Sequence, residues 1–271
     1  MDWWQALLLG IVQGLTEFLP VSSSGHLVVA GELLSVDPEG FLDFTVAVHF
    51  ATVLSTLVVF RKEIADLFKG LFRFRYNDQT DYVCKILVSM IPVAVVGFFF
   101  KDWIESLFGG GTGIVPWCLV VTALLLFLSE IVGRSRAEAV CPHRNGISYP
   151  QAIVVGFAQA LAVLPGLSRS GTTIATGLMS GVRRDGIARF SFLMVLVPIV
   201  GEQGLNLVKS LSGGVPSVSG VGIAALLTGF AAAFFSGLFA CRVMINLVSR
   251  VKLGWFALYC LAVAALLFVF A

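Results

Sequence analysis

The chain has 271 residues, of which 58% are hydrophobic and 13% charged, with a mean hydropathy of +0.94. A soluble domain carries about twice that share of charge, so the composition excludes an ordinary soluble globule and points to an all-α polytopic membrane protein. The net charge of +2 excludes the basic footprint of a nucleic-acid binder, and the five cysteines (Cys84, Cys118, Cys141, Cys241, Cys260) lack the paired spacing of a disulfide framework or zinc site.

The chain opens on MDWWQALLLG, which lacks the basic stretch of a cleaved signal peptide. Residues 3–18 are apolar, stop at "FLPVSSSGH", and resume over 27–36. Pieces of about 10–16 residues reach roughly 15–24 Å as helix, short of the roughly 30 Å hydrocarbon core. Two such half-helices meeting at a polar turn predict a re-entrant hairpin over 3–36, which survives at membrane depth only inside protein or against a wet cavity. Spans follow near 43–60, 86–101 and 114–132, with an amphipathic, lipid-touching connector over 61–85. The segments 150–164 and 171–181 then flank Pro165-Gly166-Leu167-Ser168-Arg169-Ser170-Gly171 and predict a second hairpin over 150–181. Spans near 187–208, 219–241 and 254–270 complete six.

If each hairpin returns to its own side, the connectors carrying fifteen of the eighteen basic residues fall together, opposite Lys101 and Lys209, with Arg169 inside the second hairpin. The positive-inside rule makes the basic side cytoplasmic, opens the first hairpin outward and puts both termini outside. Sliding the sequence by 146 residues brings Gly10, Gln13 and Leu15 onto Gly156, Gln159 and Leu161. Ser22, Ser24 and Gly25 then fall on Ser168, Ser170 and Gly171, and Phe44 on Phe190. One membrane domain over 1–271 is therefore expected as an inverted-topology repeat, about 1–132 and about 148–271, with a midplane site at the two tips.

The tips offer Ser22, Ser23, Ser24, His26, Ser168, Arg169, Ser170, Thr172 and Thr173. Serine before a helix is a good N-cap, and the free N–H groups there favour an anion. Gly25 and Gly171 would let backbone approach a ligand closely. With Arg169, whose planar fork suits phosphate oxygens, the pair describes a phosphate or diphosphate cradle. An intramembrane arginine marks function. Glu17 lies one turn before the first tip and shares a helix face with Gln13, four residues away. Such a carboxylate holds a divalent cation, acts as general base, or pairs with Arg169. His26 is placed to take a proton, attack phosphorus or stabilise the leaving group. His49, Glu202 and Asn206 are weaker cavity candidates.

"QGLTEFLPVSSSGH" and "LPGLSRSGTT" resemble, in order and spacing, the two signature motifs of the undecaprenyl-diphosphate phosphatase family of the bacitracin-resistance type. The likeness in length and hydropathy covers the whole chain. The resemblance implies hydrolysis of a C55 polyprenyl diphosphate to the monophosphate carrier of cell-wall polymers. It also implies an outward-facing site in the inner (cytoplasmic) membrane and a divalent cation, Mg²⁺ or Ca²⁺. Carried over by position, Glu17, Ser23 and His26 match the first motif, and Ser168, Arg169 and Thr173 the second. Many members have Glu where this chain has Gln13, so a two-carboxylate metal site is in doubt. Ser23, His26 and a bound water stay open as nucleophile, and oligomeric state is open, a homodimer being one expectation.

A polyprenyl-phosphate transporter would use the same cradle, although binding alone does not need Glu17, Ser23 and His26 together. "SSSGH" also resembles a motif of a second integral lipid-phosphatase class. That class requires Arg-Pro, absent here, and a histidine six residues after the motif arginine, where this chain has Ala175.

Overall fold

The computed structural model describes residues 1–37, 40–100, 112–136, 144–211 and 221–270. Among these the secondary structure is helical throughout, with no strand. Helix α1 is Trp3–Phe18, α2 Ser23–Leu33, α3 Phe41–Val59, α4 Arg61–Leu71 and α5 Asp78–Phe99. After α6, Val115–Arg136, come α7, Tyr149–Leu161, and α8, Arg169–Met179. Then follow α9, Arg184–Leu211, α10, Ile223–Arg250, and α11, Gly254–Phe270. The protein is an all-helical, multi-pass membrane protein.

Among the described residues, four stretches are long and apolar enough to cross a bilayer: Phe41–Val59, Asp78–Phe99, Val115–Gly133 and Ile223–Val248. Gly254–Val269 is apolar but shorter. Their outer surfaces carry large apolar side chains such as Phe98, Phe99, Trp117, Phe235, Phe239 and Trp255, all exposed. Water would oppose that surface, whereas lipid does not.

The expected span at 86–101 starts eight residues earlier, at Asp78, because Asn77 caps the helix by accepting from Thr80 N at 2.8 Å. The expected connector 61–85 therefore ends in α5, and Asp81 and Lys85 are buried there as an ion pair. Tyr76 and Asn145 both donate to the Asp81 carboxylate, at 2.7 and 3.1 Å, so its remaining lone pairs are satisfied. A second clamp holds α6, α9 and the turn before α11. Arg184 forks onto Glu130 at 3.0 and 3.1 Å, and Glu130 also accepts from Leu253 N. Lys101 and Cys141 lie outside the described residues, as do the side chains of Glu202, Asn206 and Lys209.

The short pairs α1–α2 and α7–α8 are built alike. Asp2 N donates to Gln5 Oε1 at 2.7 Å, and Ser148 N to Gln151 Oε1 at 2.8 Å. The same two glutamines then reach the far end of their pair, Gln5 to Leu34 O at 2.9 Å and Gln151 to Ser180 O at 2.8 Å. Ser22 and Ser168 cap the second helices, accepting from Gly25 N at 3.3 Å and Gly171 N at 3.1 Å. At about 1.5 Å per residue, an 11-residue α2 or α8 rises only about 16 Å.

Each first helix is held against a long helix from the other half of the chain, α1 on α10 and α7 on α5. Gly10 and Gly156 mark these crossings. A Cβ on Gly10 would run into Gly229 O, and one on Gly156 into Ser89 O. Only glycine lets the backbones come that close, which draws both tips to the middle of the molecule.

Candidate active site

At the first tip α1 ends because Leu19 is extended, as the residue before a proline tends to be. The chain turns through Ser22, whose φ of 70° is rare for a non-glycine residue, and enters α2. At the second tip Ser168 caps α8 from an ordinary extended conformation, φ −68°. The first N–H groups of each helix, at Ser23 and Ser24 and at Arg169 and Ser170, have no backbone acceptor among the described residues.

Glu17 connects the tips. Its Oε2 accepts from Ser23 Oγ at 2.6 Å and from Gln13 Nε2 at 2.9 Å. Its Oε1 lies 3.5 Å from Arg169 Nη2, and His49 Nε2 is 3.6 Å from Oε2. The Glu17 side chain is 11% exposed and that of Arg169 31%. A carboxylate this enclosed, with a hydroxyl and a guanidinium on it, suits deprotonation of the hydroxyl beside a held anion. The adjoining cavity is lined by Glu17, Thr52, Thr56, Arg169, Ser170 and Ser191, with Phe18 and Phe192 on its apolar wall.

Exposure sorts the remaining tip residues. Ser23 and His26 are partly open, like Arg169, whereas Ser168, Ser170, Thr172 and Thr173 are buried. Ser24 Oγ accepts from Gly166 N at 3.3 Å and Ser170 Oγ donates to Leu19 O at 3.0 Å, so this serine pair latches one tip to the other. Thr173 Oγ1 bonds Arg169 O at 2.8 Å and Ser191 Oγ at 2.6 Å. Gly25 and Gly171 serve the caps. A Cβ on Gly25 would come within 3.3 Å of Ser22 Oγ, and one on Gly171 within 3.0 Å of Ser168 Oγ.

His26 does not join the Glu17 cluster. Its Nδ1 bonds Ser22 O at 2.7 Å and its Nε2 bonds Tyr259 Oη at 2.8 Å.

A family model described as bacitracin resistance protein BacA matches residues 6–266, which include both tips and Tyr259. The chain belongs to that family. It is 49% identical over 265 residues to an undecaprenyl-diphosphatase of Bacteroides fragilis, covering 96% of this chain and 95% of the relative. It is 50% identical over 271 residues to one of Parabacteroides distasonis, covering 98% and 97%. A third, from Christiangramia forsetii, is 46% identical over 275 residues and is covered in full, as is this chain.

Within this BacA-family chain, oxygen donors suited to a hard divalent cation are present on one face of α1. Gln13 Oε1 is buried and has no hydrogen-bond partner among the described residues, and it lies one turn from the Glu17 carboxylate. The Gln13 amide turns its Nε2 to Glu17, so its oxygen would join the carboxylate only with the amide flipped, and water or phosphate oxygens would have to complete the shell; among the described residues no group of three or more His, Cys, Asp or Glu gathers there. Tyr259 and Thr122, which accepts from Ser168 N at 3.1 Å, are the contributors that sequence reasoning passed over. Both lie in apolar helices outside either motif, and no local pattern distinguishes them.

Proposed function

We propose that this chain hydrolyses undecaprenyl diphosphate, or a similar polyprenyl diphosphate, to the monophosphate and inorganic phosphate. That recycles the lipid carrier of cell-wall polymers and confers bacitracin resistance as a consequence. The observation that carries the reading is the Ser23–Glu17–Arg169 arrangement, in which one carboxylate touches a hydroxyl from its own tip and a guanidinium from the other. The names of the relatives, undecaprenyl-diphosphatase, agree with it.

Glu17 Oε2 takes the proton of Ser23 Oγ as that oxygen attacks the terminal phosphorus. The bond from phosphorus to the bridging oxygen breaks, and polyprenyl phosphate leaves with the electron pair. The proton held on Glu17 passes to the departing phosphate; Glu17, again a carboxylate, then takes a proton from the water that attacks phosphorus and returns it to Ser23 Oγ as inorganic phosphate leaves. Arg169 turns from Glu17 to the phosphate oxygens, and the free N–H groups at Ser23, Ser24, Arg169 and Ser170 face the same charge. His26, with both ring nitrogens engaged, borders the site rather than attacking phosphorus. A divalent cation, Mg²⁺ or Ca²⁺, would be held by Glu17, joined by Gln13 Oε1 once that amide flips, and would supply charge neutralisation of the diphosphate.

The membrane arrangement we infer has six crossing helices and two re-entrant hairpins, α1–α2 and α7–α8, as an inverted-topology repeat. The recurrence of caps, glutamine ties and glycine crossings 146 residues apart supports it. The basic connectors then face the cytoplasm and the site opens outward. Phosphate release from C55 diphosphate in detergent tests the reading. Arg169→Ala and Ser23→Ala should each fall to near background, and a labelled phosphoenzyme should accumulate in wild type at single turnover. Equal rates in wild type and Arg169→Ala would overturn the site.

A further inference from the structure

We infer that Tyr259 is a positioning residue of this site, acting through His26. It rests on the phosphatase reading given above. Tyr259 lies in α11, 233 residues from His26, and outside both motifs. Its phenol is 2.8 Å from His26 Nε2, and the two rings stack at 5.6 Å with only 8° between their planes. On the other edge of the imidazole, Nδ1 is 2.7 Å from Ser22 O. A carbonyl oxygen only accepts, so Nδ1 carries the proton, and in the neutral ring Nε2 accepts from the Tyr259 hydroxyl. The Ser22 carbonyl thus fixes the tautomer of His26, and Tyr259 holds the plane of its ring and satisfies Nε2. Through Nδ1 it also braces the Ser22 carbonyl, at the residue whose φ of 70° sets the entry of Ser23 into the site.

The other half of the chain supplies an internal control. Trp117-Cys118-Leu119 lies 142 residues before Tyr259-Cys260-Leu261, not the 146 that relates the tips, and is matched to it by where the two cysteines sit. Cys260 Sγ lies 3.7 Å from Pro20 O, and Cys118 lines the matching place beside Gly166, where an added Cβ would come within 3.2 Å of it. In that half Thr172 stands where His26 stands, and Trp117 where Tyr259 stands. Trp117 turns its ring onto Phe268 at 4.9 Å, and Thr172 Oγ1 is buried without a hydrogen-bond partner among the described residues. The hairpin architecture therefore forms without such a pair. The phenol–imidazole contact is particular to the tip that carries Ser23 and Glu17.

Tyr259→Phe keeps the stacked ring and removes only the hydroxyl. In detergent, with C55 diphosphate as substrate, kcat should fall about tenfold, the worth of one orienting hydrogen bond, with KM within about twofold of wild type. Side-chain ¹⁵N spectra of histidine-labelled protein, assigned against His26→Gln, should show the His26 Nε2 resonance moving in Tyr259→Phe. In a His26→Gln background the same substitution should cost nothing further. Wild-type turnover, an unmoved His26 resonance, or a loss that persists without His26 would each overturn the inference. Ser23→Ala, assayed alongside, separates the two levels. If it is inactive while Tyr259→Phe is normal, only the role of Tyr259 fails. If it keeps wild-type turnover, the reading of the site fails and this inference with it.

Discussion

Glu17→Gln and Ser23→Ala, singly and together, test whether the 2.6 Å contact between these side chains is a nucleophile–base pair. An amide is nearly isosteric with the carboxylate, so in Glu17→Gln the side chain can still accept from Ser23 but cannot take its proton. General-base catalysis contributes about 10²–10⁴-fold, or about 2.7–5.4 kcal/mol in the barrier at 1.36 kcal/mol per decade. The Glu17 side chain is only 11% exposed, so solvent hydroxide is a poor substitute and the upper half of that range is expected. At saturating divalent cation KM should change little, because the phosphate contacts assigned to Arg169 and the two helix starts remain. If the residues act as one unit, the double variant is no slower than the slower single one, where independent roles would add to about 5–11 kcal/mol. The assay is steady-state phosphate release from C55 diphosphate in detergent, with thermal unfolding to show that each variant is folded. Additive losses, or Glu17→Gln within about threefold of wild type, would refute the pairing.

Three further substitutions probe the frame around the site. Gly156→Ala should lower stability by about 1–3 kcal/mol, because its Cβ meets the Ser89 carbonyl, whereas Gly97→Ala, with no described atom within 4 Å, should not; detergent thermal unfolding compares them. Asp81→Ala removes the carboxylate from buried Lys85 and should cost about 3–5 kcal/mol, while Asp81→Leu with Lys85→Met recovers much of that in the same assay. Gln13→Glu places a second carboxylate beside Glu17, so the half-saturating divalent-cation concentration should fall severalfold, read from cation titration of phosphate release.

What could be read from the sequence was local in origin. Proline and serine end one helix and cap the next within a few residues, so the α1–α2 and α7–α8 breaks and a serine cap at each were legible, but not which serine, and the second helices start at Ser23 and Arg169 rather than at 27 and 171. Spans were legible from apolar length, and their ends less so, since Asn77 starts α5 before the apolar run begins. Partner choice was not legible. Ser24 and Ser170 have the residue type of phosphate ligands, yet they bond backbone across the two tips, over sequence separations of 142 and 151. The glycines carried a similar ambiguity. Gly25 and Gly171 suggested ligand approach, yet the cap serine itself crowds each of them. Asp81, Lys85 and Tyr259 went unmarked because burial of a charge, or a hydroxyl aimed at a ring, depends on a neighbour far away in sequence.

The two tips are alike in frame and unlike in side chains, and the difference follows what the proposed reaction needs. Ser23 and Arg169 occupy the same slot, the first residue of the helix after a serine cap. That slot points into the space between the tips, so one half delivers a hydroxyl and the other a guanidinium to the same place. Glu17, the base of the proposed reaction, has Val163 as its counterpart, and His26 has Thr172. Two arginines would repel one another there, and two serines would leave the anion without a cation. A second glutamate would hold Arg169 away from phosphate. A duplicated frame accounts for the placement of the site, and divergence at these three positions for its chemistry. The latch serines, Ser24 and Ser170, remain identical because their task, joining tip to tip, is the same from either side.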